Sequence, residues 1–438
     1  MLQRLKRPDF PGLVDEIVAD LKERDSRSFG SMVIHKSLTI KQLDELASKY
    51  TKVRSQNKFV ELYLSKLLPS ADIAWRSDPV EHRKYLERLW SYVETLNQNF
   101  NSLKANVLYR RLELDLREGK YDKKLLMTYL ALPRNIGYIN PVIIKNVESR
   151  SHIVNMNADY SGFCYILPIV NDEPLVRDYL HHFLLESADY KDFEQYVREP
   201  YLKRQFAIVK ILNGVGDVEQ WASMLTPEEY KRVLDRVDVE FLSTNPEFFK
   251  VDEDVQLELY LKNVDNLIVK VFEVNTSNYY RKYKREIDTD ITLDGLVPNF
   301  EETFKYDQAP ALRTKRQFKF PQLKDRGVYI VDFIAGGKSS RALIRKGRLQ
   351  IFNQVTPVGQ LFTVIDQSGA SVMDAELLIG GARYKASESG KILVPFSTRP
   401  GRTPAIISQD DFSCLQTCLL YTSPSPRDAT LSRMPSSA

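Results

Sequence analysis

The sequence predicts a multidomain protein of the α-then-β class, with a helical N-terminal domain followed by antiparallel β-sandwich modules. Apolar residues recur at helical spacing up to about position 236, and after it apolar and polar residues alternate with a period of two. Turn residues then separate short strands about every 8 to 12 residues, which is the spacing typical of β-sandwiches. The 438 residues suffice for roughly two to four domains.

The domain boundaries follow from these changes of pattern. We expect a mainly α-helical domain over 1–236, a β-sandwich over 237–349, a second and incomplete β-sandwich over 350–417, and a disordered or non-native tail over 418–438. The tail is rich in Ser and Pro and has no periodicity. It also resembles the translated adapter-derived ends of incompletely assembled transcripts, so we expect the natural protein to continue beyond about position 416.

Composition indicates an ordinary globular protein. Hydrophobic residues make up 43% and charged residues 27% of the chain, and 62 basic residues nearly balance 58 acidic ones. A net charge of +4 gives no general attraction to a polyanion. Only three cysteines are present, which argues against a disulfide framework.

The sequence also bears on where the protein is located. The basic residues at the start are followed by no apolar run of the kind that a signal peptide needs. No segment approaches the roughly 20 apolar residues that cross a bilayer. We therefore expect a cytoplasmic protein without a membrane partner, or a secreted one if the natural N-terminus is missing.

Helix starts in the first half are marked by capping residues. Asp78 is predicted as an N-cap, Pro79 as the first helical residue and Glu81 as the partner that closes a capping box. Similar starts occur at 217–220 and 226–229. No 34- or 40-residue repeat holds, so an irregular helical domain is favoured over a helical-repeat array. Other helices are predicted over 11–23, 40–67, 102–118, 121–131, 174–187 and 200–213, with loops and a few strands over 132–171.

Strands dominate the second half. Val255, Leu257, Leu259 and Leu261 alternate with polar residues, as in a strand with one buried face. The dipeptide Gly336-Gly337 predicts a tight hairpin turn between strands 327–335 and 340–346. A further strand is predicted at 316–320, and turns are predicted at 366–369, 380–381 and 388–390.

Motifs that could carry chemistry are few. Gly337-Lys338-Ser339 matches the end of a P-loop, but Asp332 stands where that loop needs glycine and a strand follows, so a hairpin turn is favoured. His152 and Cys164 could in principle pair as base and nucleophile, although an inert apolar cysteine is favoured. The histidines show no metal-ligand spacing and are taken as surface or core residues: His35, His82, His152, His181 and His182.

We accordingly predict no catalytic, cofactor-binding or metal-binding residues, no cofactor, and no enzyme activity. One segment remains open, because 279–285 interleaves tyrosines with basic residues as single-stranded nucleic-acid platforms do. A solvated strand or loop surface with cross-strand ion pairs is favoured instead. Nearby acidic residues support this interpretation (Glu286, Asp288, Asp290 and Asp294), and the further basic residues concerned are Arg313, Lys315, Arg316, Lys319, Arg341, Arg345, Lys346 and Arg348.

The segment 237–412 resembles the macroglobulin-like β-sandwich modules of the α2-macroglobulin family, especially the bacterial and protist type. GVYIVDF at 327–333 is similar to the penultimate strand of such a module, and RALIRKGRLQIF at 341–352 is similar to a last strand that crosses into the next one. LFTVIDQSG at 361–369 is similar to the opening of that next module. Immunoglobulin-like and carboxypeptidase-regulatory-like sandwiches share this turn pattern.

The resemblance implies a non-enzymatic scaffold or protein-binding fragment of a larger protein, and a protease inhibitor in its complete form. Family members trap proteases with a bait segment and often a Gly-Cys-Gly-Glu-Gln thioester, and neither is present in this sequence. The expected partner is a protein, with proteases among the candidates, and nucleic acid is disfavoured. Two alternatives stay open: an accessory region of an enzyme whose active site lies elsewhere, and a single-stranded nucleic-acid binder.

Overall fold

A computed structural model describes residues 7–23, 28–70, 75–76 and 78–422 of the chain. It divides into two compact units, Met1–Lys231 and Arg232–Ala438. Helices fill the first unit and antiparallel sheets dominate the second, so the predicted order of α followed by β is confirmed. Within the described residues, no helix is both long enough and apolar enough to cross a bilayer.

Several α-helices of the described residues begin at residues whose side chains cap the helix. Asp78 accepts hydrogen bonds from the backbone N–H groups of Val80 (2.8 Å) and Glu81 (3.3 Å), as predicted, while the Glu81 carboxylate forms an ion pair with Lys84. The helices are α1 Leu13–Glu23, α2 Val33–Ser37, α3 Ile40–Lys49, α4 Asn57–Lys66, α5 Pro79–Val93, α6 Asn101–Arg117, α7 Lys123–Leu130, α8 Pro141–Lys145, α9 Ser161–Cys164, α10 Glu173–Glu186, α11 Glu199–Asn213, α12 Val218–Ala222, α13 Pro227–Asp235 and α14 Thr276–Tyr283.

Two stretches of the helical unit differ from the sequence-based expectation. The helix predicted over 40–67 is interrupted, because Tyr50 leaves the helical conformation and a 3-10 turn at Thr51–Ser55 reorients the chain before α4. The region 132–171, predicted to hold loops and a few strands, contains short helices and isolated bridges such as Arg134 with Val154.

The first β-sandwich consists of two sheets, with strand orders β1-β3-β6 and β2-β8-β7-β4-β5. The predicted hairpin is present, because β7 pairs with β8 across Gly336-Gly337. The alternating residues 255–261 point into the core between the sheets, as predicted. The strands are β1 Asp238–Phe241, β2 Phe248–Phe249, β3 Gln256–Lys262, β4 Asn266–Val274, β5 Phe300–Lys305, β6 Arg313–Lys319, β7 Gly327–Ala335 and β8 Lys338–Lys346.

The second sandwich also has two sheets, with strand orders β13-β10-β9 and β12-β11-β14-β15. Its last strand pairs with β14 as far as Leu420, so 418–420 belong to a sheet and not to a tail. The remaining predicted tail, 423–438, lies outside the described residues. The strands are β9 Leu349–Thr356, β10 Gly359–Asp366, β11 Glu376–Ile379, β12 Ala382–Lys385, β13 Lys391–Val394, β14 Gly401–Gln409 and β15 Phe412–Leu420.

Helix α14 replaces the strand or loop surface that the sequence analysis favoured over 279–285. Asn275 caps the helix by accepting a hydrogen bond from the Asn278 N–H at 2.9 Å. Tyr279 and Tyr280 are buried in a cluster that includes Ile406 of β14, so the helix of the first sandwich packs on the second. The expectation was wrong because the burial of these rings comes from a sheet more than a hundred residues later.

Candidate protein-interaction surfaces

The P-loop-like tripeptide lies in the hairpin between β7 and β8. Gly336 and Gly337 both have positive φ, 54° and 75°, which this turn requires and which glycine adopts without strain. The Ser339 hydroxyl donates a hydrogen bond of 2.5 Å to the Asp332 carboxylate on the neighbouring strand. No helix N-terminus follows the tripeptide, so the hairpin interpretation is confirmed and the phosphate-binding one is excluded.

The histidines take part in packing. His35 stacks on Phe29 with 4.7 Å between ring centroids, and His182 stacks on Tyr121 at 3.7 Å. His181 shares a 2.8 Å hydrogen bond with Gln205. Among the described residues, no group of three or more His, Cys, Asp or Glu side chains could hold a metal ion.

Cys164 has the environment of an unreactive thiol. Burial raises its pKa to about 12, so the thiolate that a nucleophile needs is not formed near neutral pH. Its Sγ donates to the Tyr160 carbonyl at 3.4 Å. The buried, protonated thiol therefore gives no support to His152 and Cys164 as a base and nucleophile pair.

The basic residues of the first sandwich form the ion pairs that the sequence analysis favoured. Lys315 on β6 lies 2.9 Å from Glu258 on β3, and Arg313 on the same strand pairs with Glu240 on β1. Lys346 was missed as a core residue: it is buried, and its ammonium donates to the carbonyls of Glu253 and Leu323. These cations are largely engaged by the protein itself, and the burial of Tyr279 and Tyr280 removes both rings from base stacking.

A different feature of the helical unit has the properties of a protein-binding surface. The segment 165–171, which we call the apolar loop, points its side chains alternately inward and outward. Ile166 and Ile169 are buried in the core, whereas Tyr165, Leu167 and Val170 are 45%, 58% and 71% exposed. Exposed apolar side chains grouped on one loop make this segment a candidate protein-interaction surface.

The apolar loop is held at both ends and in the middle. At its start, the buried Tyr85 hydroxyl donates to the Cys164 carbonyl at 2.7 Å. In the middle, the Arg110 guanidinium donates to the carbonyls of Leu167 (3.0 Å) and Pro168 (2.9 Å). These bonds hold the loop backbone to the helical unit, and a loop that is ordered before binding loses less entropy on binding.

The end of the apolar loop is anchored on a buried ion pair. Asp172 lies 3.3 Å from the Arg134 guanidinium and accepts a hydrogen bond of 2.6 Å from the Tyr129 hydroxyl. Burial raises the pKa of Tyr129 well above its usual value, which keeps this hydroxyl protonated as a donor. The Arg134 guanidinium also lies 4.0 Å from the centroid of the Tyr129 ring.

The backbone of the apolar loop is strained where it is most exposed. Val170 has φ of 63° and Tyr165 has φ of 57°, in the left-handed region that a β-branched residue such as valine rarely adopts. Such conformations cost on the order of 1–3 kcal/mol each and persist where surrounding structure enforces them, often at functional sites. Here the enforcing contacts include the Ile169 and Val170 N–H groups, which both donate to the Met156 carbonyl.

An aromatic and arginine cluster adjoins the start of the apolar loop. The Arg76 guanidinium lies 3.9 Å from the centroid of the Tyr165 ring and 5.3 Å from that of Trp75. Trp, Tyr and Arg are the residue types most enriched at the energetic centres of protein interfaces.

The apolar loop has one signal in the sequence, the alternation of buried and exposed residues in YILPIV at 165–170. No periodic pattern around it marked the segment as a surface.

Comparison with protein families matches both parts of the chain. Residues 1–237 match the actin-binding protein F N-terminal domain, and residues 267–347 match the AbpF first immunoglobulin-like domain. The chain is 32% identical over 412 residues to "Actin-binding protein F" of Dictyostelium discoideum, which covers 93% of this chain and 17% of that protein. The chain thus spans about a sixth of the length of this relative.

Solved structures give weaker likenesses. The MG0-NIE-MG1 part of α2-macroglobulin from Escherichia coli has 14% identity and a TM-score of 0.29, over 41% of this chain and 64% of that one. The NIE-MG1 part has 16% identity and a TM-score of 0.28, over 41% and 96%. These scores are too low to carry an argument.

The two family matches test the fold and the family that the sequence analysis predicted. The β-sandwich is confirmed at the level of an immunoglobulin-like domain, whereas membership of the α2-macroglobulin family is not confirmed. The helical half, which is not a feature of α2-macroglobulins, is matched over its whole length by a family model of its own. The chain belongs to the actin-binding protein F family.

Proposed function

We propose that this chain is a non-enzymatic, protein-binding segment of a larger actin-binding protein, and that its helical unit contacts actin through the apolar loop. The observation that carries the proposal is the exposed apolar loop, held by hydrogen bonds, on a unit that matches the N-terminal domain of this family. The relative's name supplies the partner. Actin lies in the cytoplasm, so the same proposal favours a cytoplasmic location.

The physical support comes from how an exposed apolar surface behaves. Tyr165, Leu167 and Val170 expose apolar area to water, and covering it with a partner is favourable by about 25 cal/mol per Å². The Arg110 bonds and the Asp172 ion pair hold the loop, so little freedom is lost on binding. The β-sandwiches are proposed to act as a spacer that links this unit to the rest of the protein.

The test is co-sedimentation of the chain with actin filaments, comparing the parent with a Leu167→Ser and Val170→Ser double variant. Both side chains are exposed, so the substitutions should change the free energy of unfolding by less than about 1 kcal/mol. If the apolar loop is the contact, the apparent Kd should rise about tenfold, which corresponds to about 1.4 kcal/mol of binding free energy.

The matched control is Val33→Ser, which removes an equally exposed valine from α2. This variant should pellet with actin like the parent. Undiminished pelleting of the double variant would place actin binding elsewhere on the chain. If the parent itself stays in the supernatant, the assignment of actin as partner of this segment is wrong.

The finer expectations of the sequence analysis have no comparable support. Protease inhibition rested on the α2-macroglobulin resemblance, and the family matches point to a different family. Neither the accessory-enzyme nor the nucleic-acid alternative is favoured by an observation on the described residues. We therefore propose no second function for the chain.

A further inference from the structure

The helical unit contains a groove that the apolar loop does not use. It lies among α5, α6 and α7 and has a volume of about 840 Å³. Its floor is apolar and includes one tryptophan, one tyrosine and one methionine, side chains that give large contact areas and adapt to the shape of a partner. The floor residues are Trp90, Leu108, Met127, Leu132 and Tyr196.

The rim of this groove is cationic. Lys104, Lys123 and Lys124 stand around it together with a single acidic residue, Glu94. Lys123 forms an ion pair of 2.6 Å with Asp192. Lys124 is exposed and has no ion-pair partner among the described residues.

Of the three lysines, Lys104 has the clearest physical reason to bind an incoming carboxylate. Its ammonium donates to the Leu96 carbonyl at 2.5 Å, which uses one of its three N–H donors. Burial lowers its pKa, and the nearby Glu94 carboxylate offsets this only in part. A partly desolvated cation with unused donors at the edge of a groove is stabilised by an incoming carboxylate.

We propose that this groove binds an amphipathic helix with an acidic flank, supplied by a partner protein. Apolar side chains at positions i, i+4 and i+7 of that helix lie on one face and span roughly 10 Å, and they pack on the apolar lining of the groove. The carboxylates of the partner helix contact Lys104 and Lys124. These are the two lysines of the groove whose charges are least balanced by acidic groups of the protein. This inference does not depend on actin being the partner of the apolar loop.

The test uses a designed helical peptide of about fifteen residues with leucines at i, i+4 and i+7 and glutamates beside them. A second peptide carries lysines in place of the glutamates. Fluorescence anisotropy of the labelled peptides is measured with the full chain at low salt. The acidic peptide should bind at least about tenfold more tightly than the basic one, and added salt should weaken its binding.

A charge-removing variant assigns the binding to the groove. Lys104→Gln with Lys124→Gln should weaken binding of the acidic peptide about fivefold or more and should not weaken binding of the basic peptide, because it also removes like-charge repulsion. Lys52→Gln with Lys66→Gln removes two exposed lysines elsewhere in the helical unit and should change neither affinity. Met127→Glu, which puts a carboxylate on the floor, should also weaken the acidic peptide.

Several results would overturn the proposal. Equal affinity for the two peptides would show that the lysine rim plays no part. The same conclusion follows if the control pair weakens binding as much as the groove pair. No binding of the acidic peptide at about 1 mM, or tighter binding of single-stranded oligothymidylate to the same lysines, would exclude an acidic helix as the ligand.

Discussion

Single buried polar residues determine how the helical unit presents its apolar loop. Arg134 has no exposed surface; its guanidinium donates a hydrogen bond to the Tyr129 carbonyl at 2.5 Å, and its Nε lies 3.3 Å from the Asp172 carboxylate in an ion pair without a hydrogen bond. A buried ion pair contributes little net stability, but removing one partner leaves an uncompensated charge and costs about 3–5 kcal/mol. The pair therefore acts mainly to define one position for Asp172, where the loop ends.

A second buried residue gives the helical unit a pH dependence. The Nδ1 atom of His35 accepts a hydrogen bond of 2.8 Å from the Gly30 N–H, and burial lowers the pKa of the imidazole to about 4. Asp20 raises this pKa, but by less than burial lowers it. The imidazole is therefore neutral in the folded protein at any pH well above 4.

We predict that the helical unit loses stability as the pH falls from about 6.5 to about 4. In the unfolded chain His35 binds a proton near its usual pKa of 6.5, so across this window the unfolded state holds more protons and is favoured. The loss should be at most about 3 kcal/mol. Urea unfolding followed by tryptophan fluorescence measures it, since all three tryptophans lie in this unit.

The comparison variant is His35→Gln, whose amide oxygen can still accept from the Gly30 N–H. At pH 8 both side chains are neutral. The difference in unfolding free energy between variant and parent at that pH therefore measures the effect of the substitution that is unrelated to titration. Between pH 6.5 and 4 the variant should then lose less stability than the parent. Parallel stability curves for the two proteins would show that His35 is not the group responsible.

At the scale of elements, α14 is the part of the first sandwich that holds the second. The Thr276 hydroxyl accepts a hydrogen bond of 3.0 Å from the Ser413 N–H on β15. Tyr280 is buried beside β14 and β15, and its hydroxyl donates to Glu286 at 3.2 Å. A second link is Arg326, which donates to the Gln409 side chain at 2.6 Å.

We predict that Tyr280→Ala separates the unfolding of the two sandwiches. Truncating a buried aromatic ring costs about 3–5 kcal/mol, and here the loss falls on the junction. Hydrogen exchange followed by mass spectrometry should show faster exchange in α14 and β15. Tyr283→Ala on the same helix is the control, because this ring is half exposed, and it should change exchange little. Equal protection in both variants would contradict a role for Tyr280 at the junction.

Elements were predictable from sequence where their determinants are local. Thr226 and Glu229 form the expected capping box, with bonds of 3.0 and 3.2 Å, because both partners lie within one turn. Helix α14 was missed because its buried face is created by β14 and β15. The apolar loop was missed for the same reason, since Arg110, which holds it, precedes it by 57 residues.

At the scale of the whole molecule, each unit has a core of its own. Among the described residues, the helical unit buries a large cluster that includes residues of α1 and α6, and each sandwich of the second unit buries a cluster between its sheets. Helix α13 lies across the boundary between the units, and its C-terminal carbonyls are capped by the buried Lys262, which donates to Leu234 and Arg236. Lys262 therefore ties the end of α13 to the first sandwich.

We predict that two overlapping fragments, 1–237 and 226–422, each fold alone, because each retains α13 and a complete core. Each should unfold in a cooperative urea transition, the first followed by tryptophan fluorescence and the second by circular dichroism. Actin co-sedimentation should follow fragment 1–237, which carries the apolar loop, while 226–422 should remain in the supernatant. Pelleting by 226–422 alone would assign actin binding to the sandwiches, and non-cooperative unfolding of either fragment would contradict independent cores.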